Sequence, residues 1–104
     1  MSNIVIVGSG PAGVSAALYA VRAGVQTIVL TKGSGALARA ETIENYYGFA
    51  QPISGPELER RSIENARRLG VQFVQTEAVG LTWTDRLTVE TLAGAYPADA
   101  VILA

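Results

Sequence analysis

NIVIVGSGPAG, residues 3–13, joins a short β-branched run to a glycine-rich turn. Asn3–Val7 is apolar after its first residue, the pattern of a strand buried on both faces, as parallel sheets require. Beyond the turn, Val14, Ala17, Leu18 and Val21 recur at helical spacing, Ala16 and Ala20 favour helix, and Gly24 stands where a C-terminal cap belongs. A helix is expected over Pro11–Ala23. Gln26–Thr31 is again β-branched and apolar, so residues 3–31 compose a βαβ unit with parallel, neighbouring strands.

Residues 32–53 carry no sustained periodicity, and a loop of that length inside a small domain is usually functional. Ser54-Gly55-Pro56-Glu57 spells a capping box, with Ser54 as N-cap and Glu57 three residues on, opening a helix that ends near Gly70. Its apolar face is thin: Leu58, Ile63, Ala66 and Leu69. Arg60, Arg61, Arg67 and Arg68 interleave with Glu57, Glu59 and Glu64 at helical neighbour spacings, which reads as a solvated face and not a basic binding patch. Val71–Gln75 reads as a third parallel strand. Val79–Trp83 and Leu87–Leu92 alternate around Thr84-Asp85-Arg86 like a hairpin, with Tyr96–Ala98 as a third short antiparallel strand and Trp83 as a packing residue. Ala100–Ala104 is apolar throughout and reads as a further buried parallel strand.

The bulk properties exclude several function classes. With 8 basic against 9 acidic residues spread along 104, there is no electrostatic footprint for nucleic acid or an anionic membrane. Arg22 and Gln26 interrupt the Ala12–Leu30 stretch, so no membrane span is expected, and the reading is a soluble cytoplasmic protein. The chain has no cysteine and no histidine, which removes thiolate chemistry and the commonest metal ligands. No metal site and no catalytic residue is expected, and any redox chemistry must belong to a bound cofactor.

Gly8-Ser9-Gly10-Pro11-Ala12-Gly13 fits G-x-G-x-x-G, a weak pattern alone that becomes specific at the end of a strand and the start of a helix within a βαβ unit. Gly8 permits the tight turn, Gly10 lets backbone approach a pyrophosphate, and Gly13 lets helix and strand pack closely. The pyrophosphate would sit over the helix N-terminus, where free N–H groups and the positive end of the helix dipole meet its charge. The Gly-Lys-Ser/Thr ending of a P-loop is missing. Thr31 and Lys32 stand where an acid would receive the ribose hydroxyls, which weakens a plain NAD reading; Lys32 is compatible with the extra phosphate of NADP or with a lysine reaching into solvent. The fold class expected is α/β, a Rossmann-like FAD/NAD(P)-binding domain, as a partial domain: a parallel sheet flanked by helices, with a small antiparallel β-meander.

With GSGPAG, the loop ending Ile43-Glu44-Asn45-Tyr46-Tyr47-Gly48-Phe49, the run Ile53-Ser54-Gly55-Pro56-Glu57-Leu58 and a terminal VILA, the chain resembles the FAD domain of thioredoxin-reductase-like flavoproteins. The resemblance covers essentially all 104 residues. It implies that the acid after the second strand is dispensable, that Ser9, Gly10, Pro11 and Ala12 bind the pyrophosphate of FAD, and that Thr31 and Lys32 lie near the adenosine. It places Gly33, Gly35, Ala36 and Leu37 on the loop passing the ribityl chain, Asn45 near the isoalloxazine ring, and the backbone around Glu77, Ala78 and Val79 at the adenine. Ser34-Gly35-Ala36-Leu37 departs from the family's Gly-Gly-Gln-Leu, and Tyr47 replaces a proline. Tyr46, Tyr47 and Phe49 are either flavin walls or core.

The resemblance also implies a pyridine-nucleotide domain with a redox Cys-x-x-Cys and a return segment completing the FAD site. Residues 1–104 would then be the N-terminal segment of an FAD-binding domain, with Ala104 an internal point of a longer homodimeric enzyme. That enzyme would take electrons from NADPH or another donor and pass them to a disulfide or other redox partner. A standalone FAD- or ADP-binding module, and a domain that folds or assembles without cofactor, are the alternatives.

Overall fold

The β-branched run Asn3–Val7 forms strand β1 and lies inside a parallel sheet, paired on both sides. The computed structural model describes residues 2–33 and 39–104. After β1 come α1 (Pro11–Arg22), β2 (Gln26–Thr31), α2 (Gly55–Arg68), β3 (Gln72–Gln75), β4 (Ala78–Trp83), β5 (Leu87–Thr91), β6 (Gly94–Ala98) and β7 (Ala100–Leu103). The parallel sheet has the order β3-β2-β1-β7, and β4-β5-β6 form a separate antiparallel sheet. Each strand and helix expected from the sequence is present within a residue or two of its expected ends.

Adjacent residues of a strand face opposite sides, so a strand covered on both faces has no polar side to offer. Val5 and Ile6 are both fully buried. Ile6 joins Val14 and Ala17 of α1, Val29, Ala66 of α2 and Val71 in one core. Val5 joins Leu30, Val89 and Ala98 in another, beneath the antiparallel sheet. The result is three layers, helices on one face of the parallel sheet and the meander on the other, and this is why β1 reads as unbroken apolar sequence. The register Val7↔Leu30 and Val7↔Leu103 brings the C-terminal ends of three strands to one edge.

Ser54 caps α2 as expected, its Oγ accepting from the Glu57 N–H at 3.2 Å. Glu57, expected to complete a reciprocal box, turns its carboxylate elsewhere: it accepts from Arg60 Nε (3.0 Å) and Nη2 (2.6 Å) and from Arg61 Nε (2.9 Å). Two guanidiniums within one helical turn outcompete a backbone amide for a carboxylate. Leu69 and Trp83 also differ from expectation. Leu69 follows the last helical turn and is half exposed. Trp83 is 71% exposed: it lies at the far end of the edge strand β4 from Ala78, which together with Val89, Tyr96 and Ala98 packs on the core beneath the meander.

α1 can lie close to the β1 turn because of Gly13. A Cβ on Gly13 would stand 1.9 Å from the Gly8 carbonyl oxygen, a clash with backbone that no rotamer relieves. Gly10, three residues earlier, has nothing among the described residues within 4 Å of its Cβ direction. Gly13→Ala is therefore expected to destabilise the chain by about 2 kcal/mol or more, whereas Gly10→Ala costs less than about 1 kcal/mol; urea unfolding of both variants checks the contrast. A second expectation concerns acid. The bonds from Arg60, then Arg61, lower the Glu57 carboxyl from an ordinary 4.5 to about 2. A carboxylate with a depressed folded-state value stabilises above its unfolded value and loses that contribution as pH falls through the folded one. The advantage of the native chain over Glu57→Gln in urea unfolding should be full above pH 4.5 and gone near pH 2.

Candidate functional site

The shared edge of β1, β2 and β7 opens into a cleft of about 500 Å³. Gly8-Ser9-Gly10-Pro11 line one side of it, Thr31-Lys32-Gly33 a second, and Thr76-Glu77-Ala78 a third, with Val7, Leu30, Glu59 and Ala104 completing the lining. Open α/β sheets bind ligands beyond the carboxyl ends of their strands, which is where this cleft lies.

The turn that borders the cleft is shaped by Gly8. Its φ is +116°, in the region L side chains rarely adopt, and a Cβ there would meet the Ala104 carbonyl oxygen at 2.5 Å. The Gly8 N–H donates to the Leu30 carbonyl (2.9 Å), and the Ala104 N–H to the Val7 carbonyl (2.9 Å), so the turn is tied to both neighbouring strands. Gly10 is the N-cap of α1 and supplies no side-chain cap; Pro11 follows at the first helical position, and the first intrahelical bond is Val14 N–H to Gly10 carbonyl at 3.0 Å. The amides of Ala12 and Gly13 precede that bond and have no acceptor within the helix. In α2 the equivalent third amide is capped by Ser54 Oγ. The N-terminus of α1 thus presents donors to the cleft edge, and among the described residues the Cβ direction of Gly10 is open space.

The second side is organised by hydroxyls. Ser9 Oγ and Thr31 Oγ1 are 2.6 Å apart, Thr31 Oγ1 contacts the Gly33 carbonyl at 3.1 Å, and the Gly33 N–H donates to Thr31 Oγ1 at 3.0 Å. Thr31 therefore organises the end of β2 at the place where an acid was sought. Lys32, open between a phosphate contact and free solvent on sequence grounds, instead pairs with Glu77 Oε1 at 3.5 Å. Thr76 donates its N–H to the Thr31 carbonyl (2.9 Å), while its Oγ1 is buried and has no hydrogen-bond partner among the described residues.

Of the residues singled out from the sequence, Gly8, Ser9, Gly10, Pro11, Thr31, Lys32, Gly33 and Ala78 line this one cleft. Ala12 is exposed in the first turn of α1, and Gly13 is buried against Gly8. Gly35, Ala36 and Leu37 lie outside the described residues. Asn45 is exposed, Val79 is 61% exposed on β4, and neither lines the cleft. Sequence reasoning missed the Thr76 hydroxyl and Glu59. The signal for Thr76 was available: parallel strands ending in register, Thr31↔Gln75, put the residue after β3 beside the end of β2.

The aromatics of the 41–50 segment divide. Tyr46 and Phe49 meet edge to face with centroids 5.9 Å apart, and Arg61 lies over the Phe49 ring at 5.9 Å. They border a separate hollow of about 300 Å³ shared with Pro11, Val14 and Leu18 of α1 and Leu58 of α2. Tyr47 is 98% exposed, so neither core nor cleft claims it. An antiparallel bridge between Ile43 and Ile53, bonded in both directions, closes the base of this loop.

Among the described residues no helix is long and apolar enough to cross a membrane. Residues 2–104 match the family model described as pyridine nucleotide-disulphide oxidoreductase. The chain is 34% identical to the thioredoxin reductase of Bacillus subtilis over 105 aligned positions, covering 98% of this chain and 33% of that protein. It is 41% identical to the bifunctional thioredoxin reductase/thioredoxin of Mycobacterium leprae, covering 98% and 23%. The crystal structure of the atypical thioredoxin reductase TRi from Desulfovibrio vulgaris Hildenborough superposes with a TM-score of 0.90 at 38% identity, covering 99% of this chain and 35% of that one. The chain thus spans about a third or less of the length of these relatives.

Proposed function

The chain belongs to the pyridine nucleotide-disulphide oxidoreductase family, and from that membership we propose that it is the FAD-holding segment of a flavin-dependent, thioredoxin-reductase-like disulfide reductase. The observation that carries this reading is the uncapped N-terminus of α1 at the edge of the cleft, with open space over Gly10 and a neutral hydroxyl wall facing it. A group with a pyrophosphate and a ribose fits that donor set: amides for the phosphates, hydroxyls and carbonyls for the sugar.

In this reading Gly10, Ala12 and Gly13 present backbone N–H groups to the pyrophosphate, and the dipole of α1 stabilises its charge without a lysine. Gly8 sets the turn and Pro11 starts the helix without wasting a donor. Ser9 and Thr31 hold the hydroxyl wall beside the adenosine, and the Thr76-Glu77-Ala78 backbone borders the adenine, with Val79 beyond it. Gly33, Gly35, Ala36 and Leu37 pass the ribityl chain, and Asn45 reaches the flavin when the rest of the enzyme is in place. When bound, FAD supplies the two-electron redox chemistry that a chain without cysteine or histidine lacks. This segment binds and orients; it contributes no acid, base or nucleophile.

The proposal extends to the whole protein. Residues 1–104 are the first segment of its FAD domain, and a return segment and a nucleotide domain come from further sequence, as the length of the relatives suggests. The complete enzyme is a cytoplasmic homodimer that takes electrons from NADPH or a comparable donor and delivers them to a protein disulfide.

Gly10→Val fills the open space with two methyl groups while leaving an N-cap whose backbone, φ −70° and ψ −175°, valine adopts freely. Calorimetric titration with FAD and with ADP should show affinity lower by at least about a hundredfold, a loss near 3 kcal/mol, with the far-ultraviolet circular dichroism unchanged. Affinity for both ligands retained within about tenfold would contradict the proposed site.

A further inference from the structure

Among the described residues, the charged side chains lining the cleft are Lys32, Glu59 and Glu77. Lys32 follows Thr31 at the end of β2, the position from which dinucleotide-binding folds read the ribose 2′ group, an acid there accepting a free hydroxyl and a cation accommodating a phosphate. A lysine in that place ordinarily favours the phosphorylated sugar. Here its Nζ is 3.5 Å from Glu77 Oε1. Glu77 is delivered there by the backbone: the Thr76 N–H bonds the Thr31 carbonyl at 2.9 Å, which carries the chain leaving β3 across the end of β2.

We infer that Glu77 is a specificity-determining residue, which neutralises Lys32 and repels a 2′-phosphate so that the cleft takes a ribose with a free 2′-hydroxyl. The inference rests on the nucleotide-cleft reading above. A 2′-phosphate close enough to pair with Lys32 must displace the Glu77 carboxylate or lie beside it, and either arrangement leaves like charges together. The pyrophosphate meets the amides of α1 instead, on the other side of the cleft. Lys32 and Glu77 side chains are 76% and 49% exposed, so their pairing adds little stability, and its consequence is the choice of ligand.

The test is calorimetric titration of the full chain, native, Glu77→Gln and Glu77→Gln/Lys32→Gln, with ADP-ribose and 2′-phospho-ADP-ribose. The native chain should prefer ADP-ribose. Glu77→Gln should move the affinity ratio toward the 2′-phosphate by roughly five- to tenfold, the scale of one solvent-screened charge a few ångströms away. The double variant should give that shift back, and added salt should shrink it. A ratio unmoved within about twofold in Glu77→Gln, with both ligands bound, overturns the role of Glu77 alone. If the native chain binds neither ligand, the cleft is not a nucleotide site and the inference falls with it.

Discussion

Between α1 and the end of β1 there is no room for a single carbon: a Cβ on Gly13 would stand 1.9 Å from the Gly8 carbonyl oxygen. That contact sets how closely the helix approaches the strand, and with it where the first-turn amides of α1 lie. The strand end is held in turn by Gly8 N–H to Leu30 and by Ala104 N–H to Val7. Burial of Val5 and Ile6 on opposite faces fixes β1 between the two layers that cover the sheet. A helix N-terminus anchored in this way is pre-organised, so an anion need not pay to order it.

The chemistry of the cleft follows from what its residues lack. Gly10 offers no cap, so the helix donors are left for an external acceptor, whereas α2, capped by Ser54 and carrying Glu57 in its first turn, has its own anion in place. Thr31 presents a hydroxyl where an acid would carry charge, and it is bonded to Ser9 and Gly33, which ties the end of β2 to the turn after β1. The Lys32–Glu77 pair holds the local charge near zero. Such a surface favours a ligand whose negative charge is concentrated in a pyrophosphate.

Much of this was legible in the sequence because it depends on local rules. Asn3–Val7 and Ala100–Ala104 read as two-sided strands since burial on both faces leaves no polar alternation, and the glycine motif gained meaning from the strand before it and the helix after it. What was not legible depends on competition between partners or on position within a layer. Glu57 had a backbone amide and two arginines to choose from, and the charged partners won. Trp83 alternates correctly on its strand, but only the tertiary arrangement leaves its end of the edge strand β4 beyond the core that Ala78 reaches. Asn45 belongs to a segment whose Tyr46 and Phe49 border a hollow shared with α1 and α2, with Arg61 of α2 over the Phe49 ring, an arrangement that no periodicity announces. Thr76 needed the β2–β3 register before its place beside Thr31 could be seen.

The claim that the uncapped N-terminus of α1 receives a pyrophosphate is tested most directly by following backbone amide resonances while ADP is added to the ¹⁵N-labelled chain. The account predicts the largest shifts at Ser9, Gly10, Ala12 and Gly13, smaller ones at Thr31 and Ala78, and none at the capped start of α2 around Glu57. Shifts concentrated at α2 or on the exposed face of β4, with the Gly8–Gly13 amides unmoved at saturation, would contradict it.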